Sequence, residues 1–352
     1  MRVLFDSSVT DFDRGGTSRY VAALLPRLQE LGAPVDEVSM QTTWRWSMRL
    51  PRSARVLLHD LAWVPRGSVS LGRAMGATLY HGAGFKVPPS ASFPTSVTIH
   101  DDTPWDDPPT ARLYNRVYMR WVMEAAAPHL AGAITSTETT AAAIRLRLPS
   151  LRGRLHVTPW GVDHHVFRPR PPGEVARAMA AAGVAAPFVL LVSPYGPRKN
   201  APAMLDALSL ARSVAPRLRV LVVGRHDPTG LDPLPVVRCG RVSDDDLAAL
   251  YSGAEFLLYT SLKEGFGLPV LEALACGCPA VVSQDSVLQE IGGGGVLSVN
   301  PAVVEEIAAA CRSLLTDRAA RALLAERGRA HAARYTWEET ARLSLQAWEK
   351  MA

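Results

Sequence analysis

The sequence predicts an α/β protein that is built from two doubly wound halves. Short apolar segments typical of buried strands alternate with longer segments of helical spacing, which indicates parallel sheets with right-handed crossovers. This pattern is interrupted by the proline-rich stretch 167–174 and then restarts. The length of 352 residues also suits two domains of ordinary size.

The first half contains five segments that predict strands, and each ends at polar residues, Gly or Pro. They cover residues 2–5, 77–81, 96–100, 132–136 and 155–159. The stretch SRYVAALLPRLQELG has apolar residues at helical spacing and closes on Gly32. We therefore expect a first Rossmann-like domain over residues 1–170.

The second half repeats the same alternation after the proline-rich stretch. Its predicted strands cover residues 188–193, 218–224, 255–261 and 279–283. The last segment, YTWEETARLSLQAWEKMA, predicts an amphipathic helix. We expect a second Rossmann-like domain over residues 171–334 and a C-terminal helix over residues 335–352.

Composition excludes several classes of protein. The chain is 48% hydrophobic and 20% charged, so it can bury a full core and is not a disordered protein. Its net charge is +5, but the basic residues are scattered and form no motif for binding nucleic acid. The sequence has no apolar run of the roughly 18 residues that a membrane span needs, and no pattern of a signal peptide.

The four cysteines indicate neither a disulfide framework nor a metal site. They are too few for the former and lack the ligand spacing of the latter: Cys239, Cys276, Cys278 and Cys311. We expect four reduced, buried thiols in a cytoplasmic protein.

Polar residues follow the predicted strands at their carboxyl ends, where open α/β sheets bind ligands. After strand 188–193 comes PYGPRKN, in which Arg198 and Lys199 are adjacent cations and Asn200 is placed to cap the next helix. Two cations on such a loop suit a diphosphate. The alternative is a solvated basic loop.

The stretch SLKEGFGLPVLEALACGCPAVVS carries two carboxylates around a glycine-rich turn. Gly265 and Gly267 permit close backbone approach, and Pro269 fits the first turn of a helix. The helix N-terminus can bind an anion, whereas Glu264 and Glu272 can accept hydrogen bonds from hydroxyls. The combination predicts a nucleotide sugar, and the alternative is an ordinary junction between a loop and a helix.

This stretch resembles the E-x7-E motif of the retaining glycosyltransferases of family four, which have the GT-B fold. RGGTSRYVAALLPRL, VTIHDDTP, VTPWGVDHHVFRP and LLVSPYGPRKN resemble other parts of that family in the same order. The resemblance implies two Rossmann-like domains that face each other across a cleft, with the acceptor on the first and the donor on the second. It also implies that the C-terminal helix crosses back to the first domain.

The resemblance implies roles for individual residues. Arg198 and Lys199 would hold the diphosphate, and Glu264 would contact the hydroxyls of the donor sugar. His100 would lie near the reacting centre, and Asp101 would orient its loop or the acceptor. No protein nucleophile, cofactor or metal is implied, because the leaving phosphate itself takes the proton of the acceptor.

Further residues would bind the donor. Glu272 would bind the ribose. The others would act mainly through their backbone: Gly15, Gly16, Gly240, Arg241, Val242, Phe266, Gly267 and Leu268. The His-Asp loop is similar to that of members that use GDP-mannose, and the donor stays open between GDP- and UDP-sugars.

Two positions depart from the family pattern. Ser193 and Pro194 stand where many members carry a Gly-Arg or Gly-Thr pair, so one phosphate contact is missing or replaced. Trp160 stands where an Asn is familiar, and it indicates either a packing residue or an altered hinge or acceptor cleft.

The segment 44–63, WRWSMRLPRSARVLLHDLAW, places four arginines among tryptophans and other apolar residues. Three interpretations stay open. It is a helix of the acceptor domain with an arginine-coated outer face, an acceptor pocket for an anionic or aromatic molecule, or a peripheral contact with the inner face of a membrane.

The function that these patterns favour is transfer of a hexose-type sugar, with retention, from a nucleotide diphosphate sugar to an acceptor hydroxyl. The acceptor is a saccharide, a lipid-linked saccharide or a small molecule. The alternatives are a nucleotide-sugar epimerase of the same fold and a catalytically silent nucleotide-sugar binder.

Overall fold

The structure is a computed structural model that describes residues 1–12, 15–88, 91–106, 115–196, 198–224 and 236–352. The chain divides into two compact units. The first unit comprises Met1–Gly161 and Trp337–Ala352, and the second comprises Val162–Thr336. Each unit is described separately below.

The first unit is built on a parallel sheet that has six strands within the described residues. The strands are β1 (Val3–Asp6), β2 (Val35–Val38), β3 (Leu79–Gly82), β4 (Thr95–Thr98), β5 (Gly132–Thr135) and β6 (Leu155–Val157). Their order across the sheet is β2-β1-β3-β4-β5-β6. The order therefore reverses between β1 and β3, and this topological switch point is where such sheets bind ligands.

Helices connect these strands. The α-helices are α1 (Gly16–Glu30), α2 (Met40–Thr43), α3 (Arg52–Leu58), α4 (Ser68–Met75), α5 (Arg120–Ala126) and α6 (Glu138–Arg147). Two π-helical segments cover His59–Gly67 and Asn115–Met119. Short 3₁₀ turns cover Ser8–Asp11, Arg45–Arg49, Thr103–Trp105, Ala127–His129 and Pro149–Leu151. The segment 44–63 is thus a 3₁₀ turn, α3 and part of a π-helical segment rather than one helix.

The second unit has its own parallel sheet, again with six strands in the described part of the chain. They are β7 (Phe188–Val192), β8 (Arg219–Val223), β9 (Val236–Gly240), β10 (Leu257–Tyr259), β11 (Ala280–Ser283) and β12 (Val296–Val299). The order is β12-β11-β10-β7-β8-β9, so the switch point lies between β7 and β10.

The helices of the second unit pack beside this sheet. They are α7 (Pro172–Ala182), α8 (Ala201–Ala211), α9 (Asp244–Gly253), α10 (Leu268–Ala275), α11 (Val287–Gly292), α12 (Val304–Thr316) and α13 (Arg318–Ala332), with a 3₁₀ turn at Gly293–Gly295. The doubly wound α/β organisation expected from the sequence is confirmed in both units.

Three strands were missed from the sequence: β2, β9 and β12. All three lie at an edge of their sheet. Their residues are mostly half-buried, whereas β1, β3 and β7 are buried throughout. Because an edge strand needs less apolar surface, it lacks the continuous apolar run from which the others were predicted.

The first boundary between the units lies nine residues before the expected one. The backbone N–H of Val162 and the ring of His164 both bond to the carbonyl oxygen of Tyr335, at 3.2 Å each. These bonds tie residues 162–170 to the second unit, and Pro172 then begins α7.

The last helix, α14 (Trp337–Met351), belongs to the first unit. Trp348 is fully buried, packs edge-on against Phe5 and donates from its indole N–H to Nδ1 of His81 at 3.0 Å. Burial, together with the charge of His100, lowers the pKa of His81 to about 3, so its neutral ring can accept this bond. The hydroxyl of Thr340 donates to the carbonyl of Pro159 at 2.7 Å.

Candidate functional site

The second unit brings three of the predicted charged residues together at its switch point. Arg198 and Lys199 lie on the loop after β7, and Glu264 lies on the loop after β10. Nζ of Lys199 is 2.6 Å from Oε1 of Glu264, and Nη1 of Arg198 is 3.9 Å from Oε2. The sequence placed these residues at carboxyl ends of strands, and the sheet order makes the two loops neighbours.

Lys199 and Glu264 form a largely buried ion pair. Their side chains are 14% and 8% exposed, so the alternative of a solvated basic loop is wrong for Lys199. Burial lowers the pKa of Lys199, because it penalises the charged form more than Glu264 favours it. Arg198 is more open, with 36% of its side chain exposed.

Tyr259 is a member of this cluster that the sequence analysis missed. Its buried hydroxyl accepts a hydrogen bond from Nζ of Lys199 at 2.7 Å. Burial and the neighbouring charge of Glu264 raise its pKa well above the ordinary value. The sequence did contain a signal for this role. Tyr259 lies in an apolar strand, and a buried tyrosine hydroxyl usually has a polar partner.

Backbone and amide bonds join the two loops. The N–H of Leu262 donates to the carbonyl of Arg198 at 2.8 Å. Nδ2 of Asn200 donates to the carbonyls of Thr260 and Pro301, at 3.1 and 2.8 Å. The expected side-chain cap by Asn200 is therefore wrong: Asn200 stands at the start of α8, but its side chain makes no capping bond. Its side chain instead holds the loop that carries Arg198 and Lys199 against Thr260, the residue that follows β10.

The glycine-rich turn ends at the N-terminus of α10. Gly267 has φ 97°, and a Cβ there would lie 2.7 Å from Leu288, so glycine is required both by conformation and by space. Phe266 and Leu268, the predicted backbone donors on either side, have buried side chains. Pro269 occupies the first turn of α10, as expected.

Glu272 is inside α10 and only 2% exposed. The hydroxyl of Tyr251 donates to its Oε2 at 3.4 Å. An ordinary surface position is therefore wrong for Glu272. A buried carboxylate loses its hydration and requires polar partners in exchange. Packing alone would therefore not favour a glutamate at this position.

Gly240, Arg241 and Val242 lie farther along the same edge of the sheet. Gly240 is the last residue of the edge strand β9, and Arg241 and Val242 follow it. β9 is separated from β7 by β8. Gly240 has φ 70° and accepts a bond from the N–H of Gly224 at 2.6 Å. The structure thus places these three residues on the expected edge, but away from the cluster around Lys199.

The remaining predicted residues belong to the first unit. Gly15 and Gly16 begin α1 and are exposed. His100 is 7% exposed, and its Nε2 donates to the carbonyl of Ala83 at 2.8 Å. Trp160 stacks on Tyr20 with ring centroids 5.1 Å apart and meets His100 edge-on at 5.4 Å. Trp160 therefore packs over His100, as the packing interpretation expected.

Asp101 orders the loop that follows β4. Its Oδ1 accepts from the backbone N–H and the hydroxyl of Thr103, at 3.0 and 2.6 Å. This half-buried carboxylate lies just before a 3₁₀ turn and positions Thr103, the first residue of that turn. A role in orienting the loop is consistent with these bonds.

Three of the four cysteines are buried, and the described side chains form no cluster that could bind a metal ion. None of the four thiols forms a disulfide, and Cys276, Cys278 and Cys311 are buried as expected, whereas Cys239 is only half-buried because it lies on an edge strand. Within the described ranges, no group of three or more His, Cys, Asp or Glu side chains is arranged to hold a metal ion. No helix in this part of the chain is long and apolar enough to cross a membrane.

Residues 177–331 match the model of the family Glycosyl transferases group 1. The matched range contains the complete cluster of Arg198, Lys199, Tyr259 and Glu264. The match therefore makes the second unit similar to this family.

This chain is also similar to curated mannosyltransferases. It is 28% identical to the MMP alpha-(1->4)-mannosyltransferase of Mycolicibacterium hassiacum, over 93% of this chain and 81% of the relative. It is 31% identical to the serotype-specific mannosyltransferase WbdA of Escherichia coli over 47% of this chain, which spans only 22% of WbdA.

Solved structures share the fold of this chain. Sucrose-phosphate synthase from Thermosynechococcus elongatus matches 99% of this chain and 98% of its own, with a TM-score of 0.76 and 21% identity. Anabaena HepE in complex with UDP and glucose matches 99% of both chains, with a TM-score of 0.73 and 18% identity. At these identities the likeness shows the GT-B fold.

Proposed function

We propose that this protein transfers a hexose-type sugar, with retention, from a GDP- or UDP-sugar to an acceptor hydroxyl. The observation that carries the proposal is the buried Lys199–Glu264 pair, with Arg198 beside it, at the switch point of the second sheet. Cations there can stabilise charge that grows on a leaving diphosphate, and a carboxylate can hold sugar hydroxyls. Two relatives named above are mannosyltransferases, which favours a mannose donor.

The reaction that fits these groups needs no protein nucleophile. The bond between the anomeric carbon and the diphosphate oxygen breaks as the acceptor oxygen approaches from the same face. The leaving phosphate takes the acceptor proton, and Lys199 and Arg198 stabilise its charge. His100 and Asp101 would serve the reacting centre and the acceptor from the first unit, and Gly15 and Gly16 would allow close approach of the α1 loop.

A thermal-shift comparison of GDP-mannose, UDP-glucose, GDP and UDP tests the donor assignment. A ligand at 100 times its dissociation constant stabilises the folded state by about 2.7 kcal/mol. We expect one nucleotide series to raise the melting temperature, and no shift with any of the four would overturn the proposal. Release of nucleotide diphosphate that requires an acceptor indicates a transferase, whereas isomerised sugar nucleotide without an acceptor indicates the epimerase alternative.

Glu272→Gln should weaken binding of the bare nucleotide diphosphate about 10- to 150-fold, because a hydrogen bond to a charged group contributes about 1.5 to 3 kcal/mol. The expected partner is the ribose, which the bare nucleotide and the donor share. Titration calorimetry with GDP and UDP measures the effect. Glu326→Gln, an exposed position on α13, is the matched control. Unchanged affinity in Glu272→Gln would remove the ribose assignment.

Activity should survive EDTA, because Arg198, Lys199 and the N-terminus of α10 can meet the phosphate charge. The measurement is turnover before and after dialysis against the chelator. Activity that is lost and then restored by magnesium or manganese would show that a metal ion is required.

We also propose that the segment 44–63 contacts anionic membrane surfaces. Trp46, Leu57 and Leu61 are 55%, 60% and 61% exposed, and four arginines accompany them. Sedimentation with vesicles of phosphatidylglycerol and phosphatidylcholine, against phosphatidylcholine alone, measures this contact. Leu61→Asp should reduce binding to the anionic vesicles, whereas Leu210→Asp, on the second unit, should not. Equal binding by both variants would refute the contact.

A further inference from the structure

The first unit contains a cavity of about 410 Å³ at its own switch point. Asp6 and Gly82, the last residues of β1 and β3, line it, and the order of the sheet reverses between these two strands. Its volume falls in the range of about 300 to 1,000 Å³ that small-molecule sites occupy. This position makes it a candidate site that the assignment of the donor does not use.

Most of the cavity wall is apolar. The apolar lining residues come from five separate segments of the unit: Val9, Phe12, Val56, Val64, Phe85 and Met119. The two π-helical segments of the described chain, His59–Gly67 and Asn115–Met119, both contribute to the wall. π-helical turns occur frequently at functional sites. Such a wall suits a ligand with an aromatic or other apolar body.

His59 is the polar side chain that the fold holds in place for such a ligand. Its Nδ1 is 2.9 Å from Oδ1 of Asp60, which also pairs with Lys86. Burial alone would raise the pKa of Asp60, but the bond from His59 and the charge of Lys86 outweigh it and lower the pKa to about 2. Because an ionised carboxylate only accepts, Nδ1 of His59 donates to Asp60, and Nε2 is the ring nitrogen left for a ligand.

Asp6 cannot serve the same purpose. Its Oδ2 already accepts from the indole N–H of Trp63 and the hydroxyl of Tyr80, at 2.8 and 2.7 Å. Its Oδ1 accepts from the backbone N–H of Ser8 at 2.9 Å. The bonds of Asp6 thus hold the wall together, which leaves His59 as the better-placed partner for a ligand hydroxyl.

The cavity adjoins the two residues of the first unit that the transferase reaction would use. His100 donates to the carbonyl of Ala83, and Asp101 holds Thr103; both Ala83 and Thr103 line the cavity. A hydroxyl bound beside Ala83 and Thr103 would therefore lie close to His100 and Asp101.

We propose that this cavity binds the acceptor, and that the acceptor is a small molecule with an apolar, preferably aromatic, body and a hydroxyl that hydrogen-bonds to Nε2 of His59. This inference rests on the proposed transferase function. The wall also carries Arg52, Lys86 and Thr103, but the end of a polysaccharide fits less well, because its many hydroxyls would also face the larger, apolar part of the wall. His59 is a positioning residue: it orients the hydroxyl, and the leaving phosphate takes the proton.

Two probes that differ by one hydroxyl test the inference: 4-methylumbelliferone and 4-methylcoumarin. Equilibrium dialysis on the full chain should show binding of both, with the hydroxylated probe bound about two- to tenfold more tightly. His59→Ala should abolish that preference, and His59→Gln, whose amide oxygen accepts, should restore part of it. No binding of either probe, or a preference that persists in His59→Ala, would overturn the inference.

Val56→Trp and Leu57→Trp form a matched pair on α3. Val56 lines the cavity, whereas Leu57 is 60% exposed and does not. Val56→Trp should reduce binding of both probes at least tenfold, and Leu57→Trp should leave it unchanged. Equal binding by the two variants would place the probes elsewhere. If Val56→Trp does not fold, as judged by circular dichroism, Val56→Phe takes its place.

The outcome is separable from that of the proposed function. Probe binding without any binding of GDP- or UDP-sugars would leave the cavity as a ligand site and overturn the transferase. Sugar transfer to mannose oligosaccharides, with neither probe bound, would support the transferase and overturn the cavity as the acceptor site.

Discussion

Lys199→Ala is expected to lower turnover about 100- to 1,000-fold at saturating donor. Removing one preorganised donor to developing negative charge typically costs about 2.7 to 4 kcal/mol of transition-state stabilisation. Lys199 is held in place by Glu264 at 2.6 Å and by the hydroxyl of Tyr259 at 2.7 Å. The measurement is initial rate with the nucleotide sugar that the thermal-shift comparison selects.

The same substitution should also destabilise the second unit. Glu264 is 8% exposed and would lose its partner at 2.6 Å, leaving Arg198 at 3.9 Å as the nearest cation. Breaking a buried ion pair from one side is costly because the other charge stays buried. Arg217→Ala removes an equal charge from an exposed position of the same unit and should change neither turnover nor the melting temperature.

A double-mutant cycle separates the two effects. Lys199 and Glu264 are in contact. The losses of free energy of unfolding in Lys199→Ala and Glu264→Gln should therefore be non-additive by about 0.5 to 3 kcal/mol. Glu264→Gln should in addition weaken the binding of sugar nucleotides more than the binding of bare nucleotides. Turnover of Lys199→Ala within threefold of the parent would refute the role of Lys199 in charge stabilisation.

Trp348→Ala is expected to lower the free energy of unfolding of the first unit by about 3 to 5 kcal/mol, the usual cost of removing a large buried aromatic side chain. Trp348 is fully buried, packs against Phe5 and bonds to His81. The substitution would leave a cavity beside β1 and β3. It would also remove one hydrogen-bond donor to Nδ1 of His81. Chemical denaturation measures the loss.

Trp121→Ala is the matched control, since Trp121 belongs to the same unit but is 65% exposed. It should change stability by no more than about 0.5 kcal/mol. Hydrogen exchange locates the effect of Trp348→Ala: protection should fall in residues 1–161 and 337–351. A fall confined to residues 162–336 would show that α14 stabilises the second unit instead.

The strands that carry the candidate site could be predicted because they are central. β1, β3, β7 and β10 are buried on both faces, so they appear in the sequence as apolar runs followed by abrupt polar residues. The position of Arg198, Lys199 and Glu264 after such runs therefore indicated a ligand site. The edge strands β2, β9 and β12 carry no such signal.

Contacts between distant segments could not be predicted in this way. The sequence placed a diphosphate role on Lys199 and a sugar role on Glu264, but their 2.6 Å pair exists only because β7 and β10 are neighbours at a switch point. The cap expected from Asn200 failed for a related reason, since Thr260 and Pro301 compete for its side chain. Local propensity gives way when a tertiary partner is available.

The sequence by itself determined the two doubly wound halves, the resemblance to a family and the types of side chain at the strand ends, because apolar periodicity and motif spacing are local properties. Only the tertiary structure decided that Lys199 and Glu264 are buried together, that Tyr259 joins them, and that His59, paired with Asp60, lines a cavity at the switch point of the first sheet. Burial and pairing depend on which strands become neighbours, and strand order is set by long-range packing that no short stretch of sequence encodes.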